Sequence, residues 1–282
     1  MSRKIVVGKS IIHGLLLVYA AILAYILAGL VFTFPISANV FFALSFALLF
    51  FTAGQSIYEL GIKKAVLFLV VSSLIGFLAE VLGTSTGFPF GKYYYTDFLG
   101  PKILGVPEVV PLVWFVISYL TLSIAYGAFS ATNKLNRRAL TTLALFCAFG
   151  AVAWDFLIDP MFSSYGYWVW TGQFVDLPKL YGIPLTNFVG WFVLITIIVS
   201  VFFAMTSADR SVLLRRNTID SRLSYVFLLI DGTIANWQLG HFVAIVIGVI
   251  AMISFLTASY YLESNTGRKN AYTTANTVSG AV

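Results

Sequence analysis

The sequence predicts an all-α fold, a polytopic transmembrane helix bundle of about eight spanning helices with both termini in the cytoplasm. Three observations predict it. The 282 residues are 60% hydrophobic and 10% charged, with a mean hydropathy of +0.93, which is far above the range of soluble domains. Apolar runs of membrane-spanning length follow one another along the chain. Basic residues concentrate in alternate loops, as cytoplasmic loops require.

The apolar runs define the helices in order. Seven runs are clear, whereas the seventh in chain order is short and carries Asp231, so a tilted, broken or re-entrant segment is open there. We expect Pro160 to end the fifth helix, because proline lacks the amide hydrogen that a helix needs. The predicted spans are 11–34, 38–57, 64–83, 109–131, 138–160, 184–206, 221–236 and 239–262.

One integral membrane domain, residues 1–263, therefore accounts for nearly the whole chain. The segment 264–282 is polar and rich in small residues, and its composition predicts a disordered cytoplasmic tail. Both assignments place the protein in the cell membrane as a multi-pass protein.

The distribution of basic residues sets the predicted orientation. Of the 17 lysines and arginines, Lys92, Lys102 and Lys179 fall in the outer loops, and the other 14 fall on the side of the N-terminus. Such an asymmetry favours an even number of crossings with both ends inside. It also explains the net charge of +6, so the sequence predicts no nucleic-acid partner.

The residues that usually hold cofactors are scarce. Cys147 is the single cysteine, which excludes an internal disulfide and a cysteine-based metal cluster. The two histidines, His13 and His241, lie in different segments and cannot form the clusters of a zinc or di-iron oxygenase. The chain has no phosphate-binding glycine loop, dinucleotide fingerprint or paired aspartate-rich magnesium motif. We therefore predict no metal and no cofactor.

Acidic side chains inside hydrophobic segments are the most informative feature of the chain. Glu80, Asp155, Asp159 and Asp231 map to the outer third of the predicted bundle, where Asn187 begins the sixth helix. The two aspartates of the run WDFLIDP are four residues apart and so share one helix face. A carboxyl group in hydrocarbon is costly and marks a proton path, an ion path or a reaction centre.

These five residues are the candidate catalytic group. Burial favours the neutral form of a carboxyl, and of two close carboxyls one stays protonated, which gives an acid beside a base. The alternative is structural: the acids would pair with Lys92, Lys102 or backbone groups and hold the helices together. Glu59 lies at the predicted cytoplasmic boundary near Lys63 and Lys64, and we interpret it as a surface ion pair.

Aromatic residues crowd the two long outer loops, 83–108 and 161–184. The runs TGFPFGKYYY, at 86–95, and GYWVW, at 166–170, combine turn-forming glycines with rings. Such rings line apolar tunnels and stabilise carbocations through their faces, although an interfacial tyrosine and tryptophan belt gives the same composition. The candidate substrate-binding residues are Phe90, Tyr93, Tyr94, Tyr95, Trp154, Trp168, Trp170 and Trp191.

Three segments carry a family resemblance. TGFPFGKYYYTDFLGPKILGVPEVVPLVWF, WDFLIDPMFSSYGYWVW and YGIPLTNFVGW resemble, in the same order, the membrane-bound carotenoid hydratases that act on lycopene, γ-carotene or bisanhydrobacterioruberin. The resemblance spans about Glu80 to Trp191. It implies addition of water to the terminal C1–C2 double bond of an acyclic carotenoid held in the bilayer. Carotenoid chain length, C40 or C50, and hydration of one end or both stay open.

The chemistry suits the candidate residues. Protonation at C2 puts a tertiary cation at C1, and water adds there without a metal or redox cofactor. We assign Asp155 as proton donor and Glu80 or Asp159 as the group that orients water, with the roles of Asp155 and Glu80 interchangeable. Asn187 and a tyrosine of 93–95 would hold the network. The rings flanking the cation would be Trp154, Trp168 and Trp191.

Three alternatives remain. A carotenoid cyclase would use the same cation and close a ring, giving a product of unchanged mass. A proton-coupled transporter would also use intramembrane acids, but the acids cluster at one face and we discern no internal repeat. A non-catalytic membrane scaffold would use the acids structurally. Pathway logic suggests other carotenoid-pathway enzymes, such as a desaturase or elongase, as partners.

Overall fold

The computed structural model describes residues 8–129, 136–172, 178–206 and 218–279, and within them eight helices and six short strands. Much of the predicted cytoplasmic basic set lies outside these residues, in 1–7, 130–135 and 207–217. The helices are α1 (Lys9–Phe32), α2 (Ala38–Leu60), α3 (Ile62–Thr86), α4 (Val110–Phe129), α5 (Arg137–Ser164), α6 (Leu185–Met205), α7 (Thr218–Gln238) and α8 (Phe242–Ser279).

Seven of the described helices, all except α7, are long and apolar enough to cross a membrane. In α4, 83% of the apolar window is buried inside the protein, against 28% in α1 and in α8. Helix α4 is therefore the centre of the bundle, and α1 and α8 present most of their apolar surface to the surroundings. The predicted all-α bundle is confirmed.

Helix α7 is one unbroken helix of 21 residues, and not the broken or re-entrant segment that was left open. Its low hydropathy has a physical reason, because its polar side chains face the interior. Asp220, Ser221 and Asn236 are buried, and the Tyr225 hydroxyl donates to the Gly150 carbonyl of α5 at 2.5 Å. Such partners satisfy polar groups that lipid cannot.

Helix α5 does not end at Pro160 but continues for one more turn, to Ser164. The prediction from proline was wrong because a proline inside a membrane helix removes one hydrogen bond that neighbouring groups replace. Next to the carbonyl of residue 156 that Pro160 leaves free, the Asn236 amide donates to the Leu157 carbonyl at 2.7 Å. Helix α8 is helical to Ser279, through most of the segment predicted to be a disordered tail. The domain boundary at residue 263 stays a prediction.

The outer loops contain three two-stranded antiparallel sheets. Strand β1 (Lys92–Tyr95) pairs with β4 (Trp168–Gly172) and so joins the loop after α3 to the loop after α5. Two tight hairpins, β2–β3 and β5–β6, precede α4 and α6. Their strands are β2 (Lys102–Ile103), β3 (Val106–Pro107), β5 (Lys179–Leu180) and β6 (Ile183–Pro184). In the β1–β4 pair the register is Tyr93↔Trp170, Tyr94↔Val169 and Tyr95↔Trp168.

The two outer loops and their helices are copies of one unit, so the expectation that the chain lacks an internal repeat is wrong. The sequence GKYYYT at 91–96 corresponds to GYWVWT at 166–171, and PKILGVP at 101–107 corresponds to PKLYGIP at 178–184. The first unit is α3–β1–β2–β3–α4 and the second is α5–β4–β5–β6–α6. The repeat is hard to detect in sequence because the helices diverge and two residues are inserted between the matching runs.

Equivalent hydrogen bonds relate the copies by an approximate two-fold axis. The Thr96 hydroxyl donates to the Tyr167 carbonyl and the Thr171 hydroxyl donates to the Lys92 carbonyl, both at 3.2 Å. In the two-stranded β1–β4 ribbon, Tyr94 lies opposite its own counterpart, Val169, and Tyr93 lies opposite Trp170, which is the counterpart of Tyr95. The axis therefore passes through the centre of this ribbon. Two of the candidate acids, Glu80 and Asp159, accept hydrogen bonds from side chains of this ribbon.

Candidate active site

Glu80 is the acid contributed by the first unit. It is buried near the end of α3, and its two oxygens accept three hydrogen bonds. The hydroxyls of Tyr93 and Tyr95 donate to Oε2, the latter at 2.8 Å, and the Trp114 indole donates to Oε1 at 2.9 Å. A carboxylate has about four lone-pair sites, so one site stays available.

The strand β1 supplies the two tyrosines because its side chains alternate. Tyr93 and Tyr95 point inward, whereas Tyr94 is 52% exposed. The structure therefore directs Tyr94 away from the site in which we had predicted it. Burial, and next the nearby Glu80 carboxyl, raise the pKa of both inward tyrosines well above the usual range. They stay protonated and act as donors.

The second unit contributes a pair of acids bridged by an amide. Asp155 and Asp159 are both buried on α5, one helical turn apart. The Asn187 amide of α6 donates to Asp155 Oδ2 at 3.0 Å and to Asp159 Oδ2 at 2.5 Å. The Trp168 indole of β4 donates to Asp159 Oδ1 at 2.6 Å. Under the repeat, Asp155 corresponds to Glu80.

The acids of the two units form one site. Asp155 and Asp159 both lie close enough to Glu80 to interact electrostatically with it. The rings that hold them also touch: Tyr95, which binds Glu80, packs edge-on against Trp168, which binds Asp159, with centroids 5.9 Å apart. The partners of these carboxyls are tyrosine, tryptophan and asparagine, and not the lysines of the structural alternative.

Two buried polar atoms at the site hydrogen-bond nothing in the described part of the chain. They are Asp155 Oδ1 and the indole nitrogen of Trp154. A buried polar atom without a partner costs about 1–3 kcal/mol, so such atoms cluster where a ligand or water completes them. The free oxygen distinguishes Asp155 from the better satisfied Glu80.

Aromatic rings close the site above and below. The ribbon β1–β4 covers it, with the Tyr93 ring 4.8 Å from the Trp170 ring. Beneath it, Trp114 lies 4.2 Å from Trp191, and Trp154 lies edge-on to Trp191 at 6.1 Å. These faces are suited to a cation, since ring quadrupoles attract positive charge.

Trp114 is a site residue that the sequence reasoning missed. It follows the Pro107 hairpin by the same spacing that separates Trp191 from Pro184, so the repeat would have found it. Its approach depends on Gly76 of α3, because a Cβ atom there would stand 2.4 Å from the indole ring.

Asp231 lies apart from the other predicted catalytic residues. It is half-buried on α7, and its electrostatic neighbours are Tyr19 of α1 and Tyr165 at the end of α5. The adjacent Gly232 packs against Leu157, so the helix turns its Asp231 side away from the acid pair. Helix period alone could not reveal which neighbour this face meets.

Glu59 is not a surface ion pair, which corrects the interpretation from sequence. It is 4% exposed and accepts hydrogen bonds from Tyr119, from Ser123 at 2.8 Å and from Gln55 at 2.9 Å. Ser123 also contacts Ser221 of α7 at 2.8 Å. The error arose because α4 and α7 bury the end of α2, which its own sequence does not show.

Within the described ranges, no group of three or more histidine, cysteine, aspartate or glutamate side chains is arranged to hold a metal ion. Cys147 is buried and free. The prediction that the chemistry needs no cofactor is not tested by this arrangement.

Comparisons with known proteins identify the family of the chain. Residues 34–255 match the family described as carotenoid biosynthesis protein, and the chain belongs to this family. It is 31% identical over 182 residues to a protein of Haloarcula japonica named bisanhydrobacterioruberin hydratase. That match covers 61% of this chain and 57% of the relative. No solved structure is significantly similar to the chain.

Proposed function

We propose that this membrane protein hydrates the terminal C1–C2 double bond of an acyclic carotenoid. The single observation that carries the proposal is the free, buried Oδ1 of Asp155, in an amide-bridged carboxyl pair between tryptophan faces. Membership of the carotenoid biosynthesis family and similarity to a protein named as a hydratase support it.

The proposed reaction needs one proton and one water. Asp155 gives its proton to C2, the double bond electrons form the new C–H bond, and a tertiary cation remains at C1. The oxygen of water then bonds to C1, and a proton leaves that oxygen to give the tertiary alcohol. The aromatic faces stabilise the cation while they exclude bulk water.

The hydrogen bonds suggest how the acids divide these tasks. Asp155 accepts from a single donor and has a free oxygen, which suits a carboxylic acid that gives a proton. Glu80, with three donors, suits a carboxylate that stabilises the cation by its charge. Asp159 would receive the proton from water. Transfer of this proton to Asp155 would restore the protonated acid for the next turnover.

Replacing Asp155 by asparagine tests the assignment. In cells that make an acyclic carotenoid, the wild-type protein should produce a more polar pigment heavier by one water, resolved by chromatography with mass spectrometry. Asp155→Asn should lower this product at least about 100-fold, the size of a lost general acid. The matched control is Asp97→Asn, since Asp97 is an exposed acid paired with Lys102.

The outcomes separate the candidate functions. Wild-type turnover by Asp155→Asn, with the protein inserted, would remove Asp155 from the mechanism. A wild-type product of unchanged mass would instead identify a cyclase. No new pigment from either a C40 or a C50 substrate, together with uptake driven by a proton gradient, would identify a transporter.

The proposed setting follows from the substrate. A carotenoid dissolves in the bilayer, so the protein would act in the cell membrane without a nucleic-acid partner. Neighbouring enzymes of carotenoid biosynthesis would supply the acyclic chain, and a desaturase or an elongase has the required product chemistry.

A further inference from the structure

The approximate two-fold axis makes two helix contacts equivalent, and their difference is informative. The first is the contact of α3 with α6, which we call the α3/α6 seam. Its counterpart is the contact of α5 with α4, the α4/α5 seam. Both lie beside the acid site, because each contains a helix that carries a site carboxyl.

The α3/α6 seam is lined by glycine where it meets the site. A Cβ atom at Gly83 would stand 2.8 Å from the Phe90 ring, and one at Gly190 would stand 2.7 Å from it. Phe90 is 1% exposed and therefore fills a gap that the two helices themselves leave open.

The α4/α5 seam carries larger side chains at the equivalent positions. Under the repeat, Ile158 occupies the position of Gly83 and Val113 occupies the position of Gly190. Ile158 is buried, whereas Val113 is 37% exposed. The counterpart of Phe90 is Tyr165, which is 44% exposed and so is not inserted between the helices.

The helix surfaces below the two seams also differ in exposure. On α6, Val193 and Ile197 share the face of Gly190 and are 47% and 43% exposed. Their counterparts on α4, Val116 and Leu120, are 8% and 0% exposed. Of the two seams, the α3/α6 seam is therefore the one that lies beside an apolar stripe open to lipid.

Phe90 separates this stripe from the acids. Its ring packs against Trp114 at 6.1 Å and against Tyr93 at 6.3 Å, and both of these residues donate to Glu80. The segment that carries it is bounded by two glycines with positive φ, Gly87 at 88° and Gly91 at 118°. Glycine adopts these angles without strain, so the chain can turn on either side of Phe90.

We propose that the polyene chain of the substrate binds along the α3/α6 seam, and that its end group reaches the acids by displacing Phe90. The inference rests on the proposed function, which supplies the occupant: a long apolar chain whose reactive end lies among Glu80, Asp155 and Asp159. The open stripe on α6 runs directly into the gap that Phe90 fills. A bilayer-dissolved chain therefore enters from the side, without crossing the polar loops.

The repeat itself supplies the variant that tests this site. Gly190→Val gives α6 the residue that stands at the equivalent position of α4, Val113, and Phe90→Ala in the same chain makes room for the new side chain. The pair should lower kcat/KM for a carotenoid about tenfold or more relative to Phe90→Ala alone, mainly through KM, because a narrowed channel weakens binding more than chemistry. Gly14→Val is the matched control, since no atom lies within 4 Å of a Cβ there.

A direct measurement keeps the inference independent of folding. An acyclic isoprenoid with a photoreactive group in mid-chain, irradiated in membranes that hold the wild-type protein, should attach to the α6 residues Val193 and Ile197. Attachment to α4 or α5 instead would overturn the proposed seam while hydratase activity persisted. Loss of the water-adding activity itself would reject the proposed function and not the position of the seam.

Discussion

At the scale of single residues, the site separates its carboxyls by the number of donors around each. Glu80 has three donors on two oxygens, whereas Asp155 has one donor and a free oxygen. Hydrogen-bond donors stabilise the charged form of an acid, and their absence favours the neutral form. Two carboxyls from equivalent positions of a repeat have thereby acquired different surroundings, which is what an acid and an electrostatic stabiliser require.

The inward tyrosines give a prediction about pH. The pKa of Tyr93 and Tyr95 is raised by burial and then by Glu80, so the folded protein holds these protons above pH 10 while the unfolded chain releases them. The linked stability is complete below about pH 10 and is lost as pH rises through the folded pKa. We expect the thermal midpoint in detergent to fall in that window.

Removing the two hydroxyls together should change this alkaline fall in a defined way. Tyr93→Phe/Tyr95→Phe should lower stability at neutral pH by about 1 kcal/mol for each lost hydrogen bond, yet reduce the steepness of the decline above pH 10. Other tyrosines keep part of the slope. Tyr94→Phe is the matched control on the same strand, since that side chain is exposed. An unchanged slope in the double variant would contradict the assigned proton linkage.

At the scale of helices, the bundle buries another carboxyl group, Glu59, which takes no part in the candidate active site. Glu59 joins α2 to α4 through Tyr119 and Ser123, and Ser123 reaches Ser221 of α7. A hydrogen-bonded acid at such a crossing fixes how three helices pack. Its partners are ordinary donors, and the rings of Phe68 and Phe115 pack against Tyr119 on the other side.

This position predicts a structural effect without a change of chemistry. Glu59→Ala should lower the free energy of unfolding by about 2–4 kcal/mol, because it leaves buried donors without a partner. Product identity and turnover per inserted molecule should stay unchanged. Glu263→Ala removes a partly exposed pair with Arg222 and should cost less than about 1 kcal/mol. A large loss of turnover at full stability in Glu59→Ala would show instead that Glu59 moves protons.

Helix existence and helix surroundings were predictable to different degrees. Hydropathy identified the seven long apolar helices clearly, because an apolar run of about 20 residues is itself the requirement for crossing a bilayer, whereas the polar residues of α7 weakened its signal. The surroundings of Glu59 and Asp231 were not predictable, since they depend on which helix covers each face. Asn187, Asp155 and Asp159 do meet, because the turn geometry of α5 and the start of α6 place them at one end.

At the scale of the whole molecule, the two-fold repeat explains why the candidate site lies next to the outer loops. Each unit brings an inward-facing strand and one tryptophan after a hairpin to the axis, together with Glu80 in the first unit and the pair Asp155 and Asp159 in the second. The strands close the site only because they pair with each other across the units. A single unit would leave both its strand edge and its acid exposed, so the site exists only in the duplicated chain.

The repeat and the predicted orientation are tested together by the hairpin tips. Leu104 and Tyr181 occupy equivalent positions with φ of 51°, each followed by a glycine, and they are 72% and 39% exposed. Replaced one at a time by cysteine in intact cells, both should react with a membrane-impermeant maleimide, because the basic residues assign these loops to the outside. The wild-type protein is the control for background labelling, because Cys147 is buried.

Each outcome of this labelling decides a separate point. Reaction at both tips supports the orientation and the equivalence of the units. Reaction at both only after the membrane is permeabilised would reverse the predicted orientation and place the termini outside. Reaction at one tip alone would mean that the two hairpins meet different surroundings in the membrane, and the two-fold arrangement would then fail at the hairpin tips.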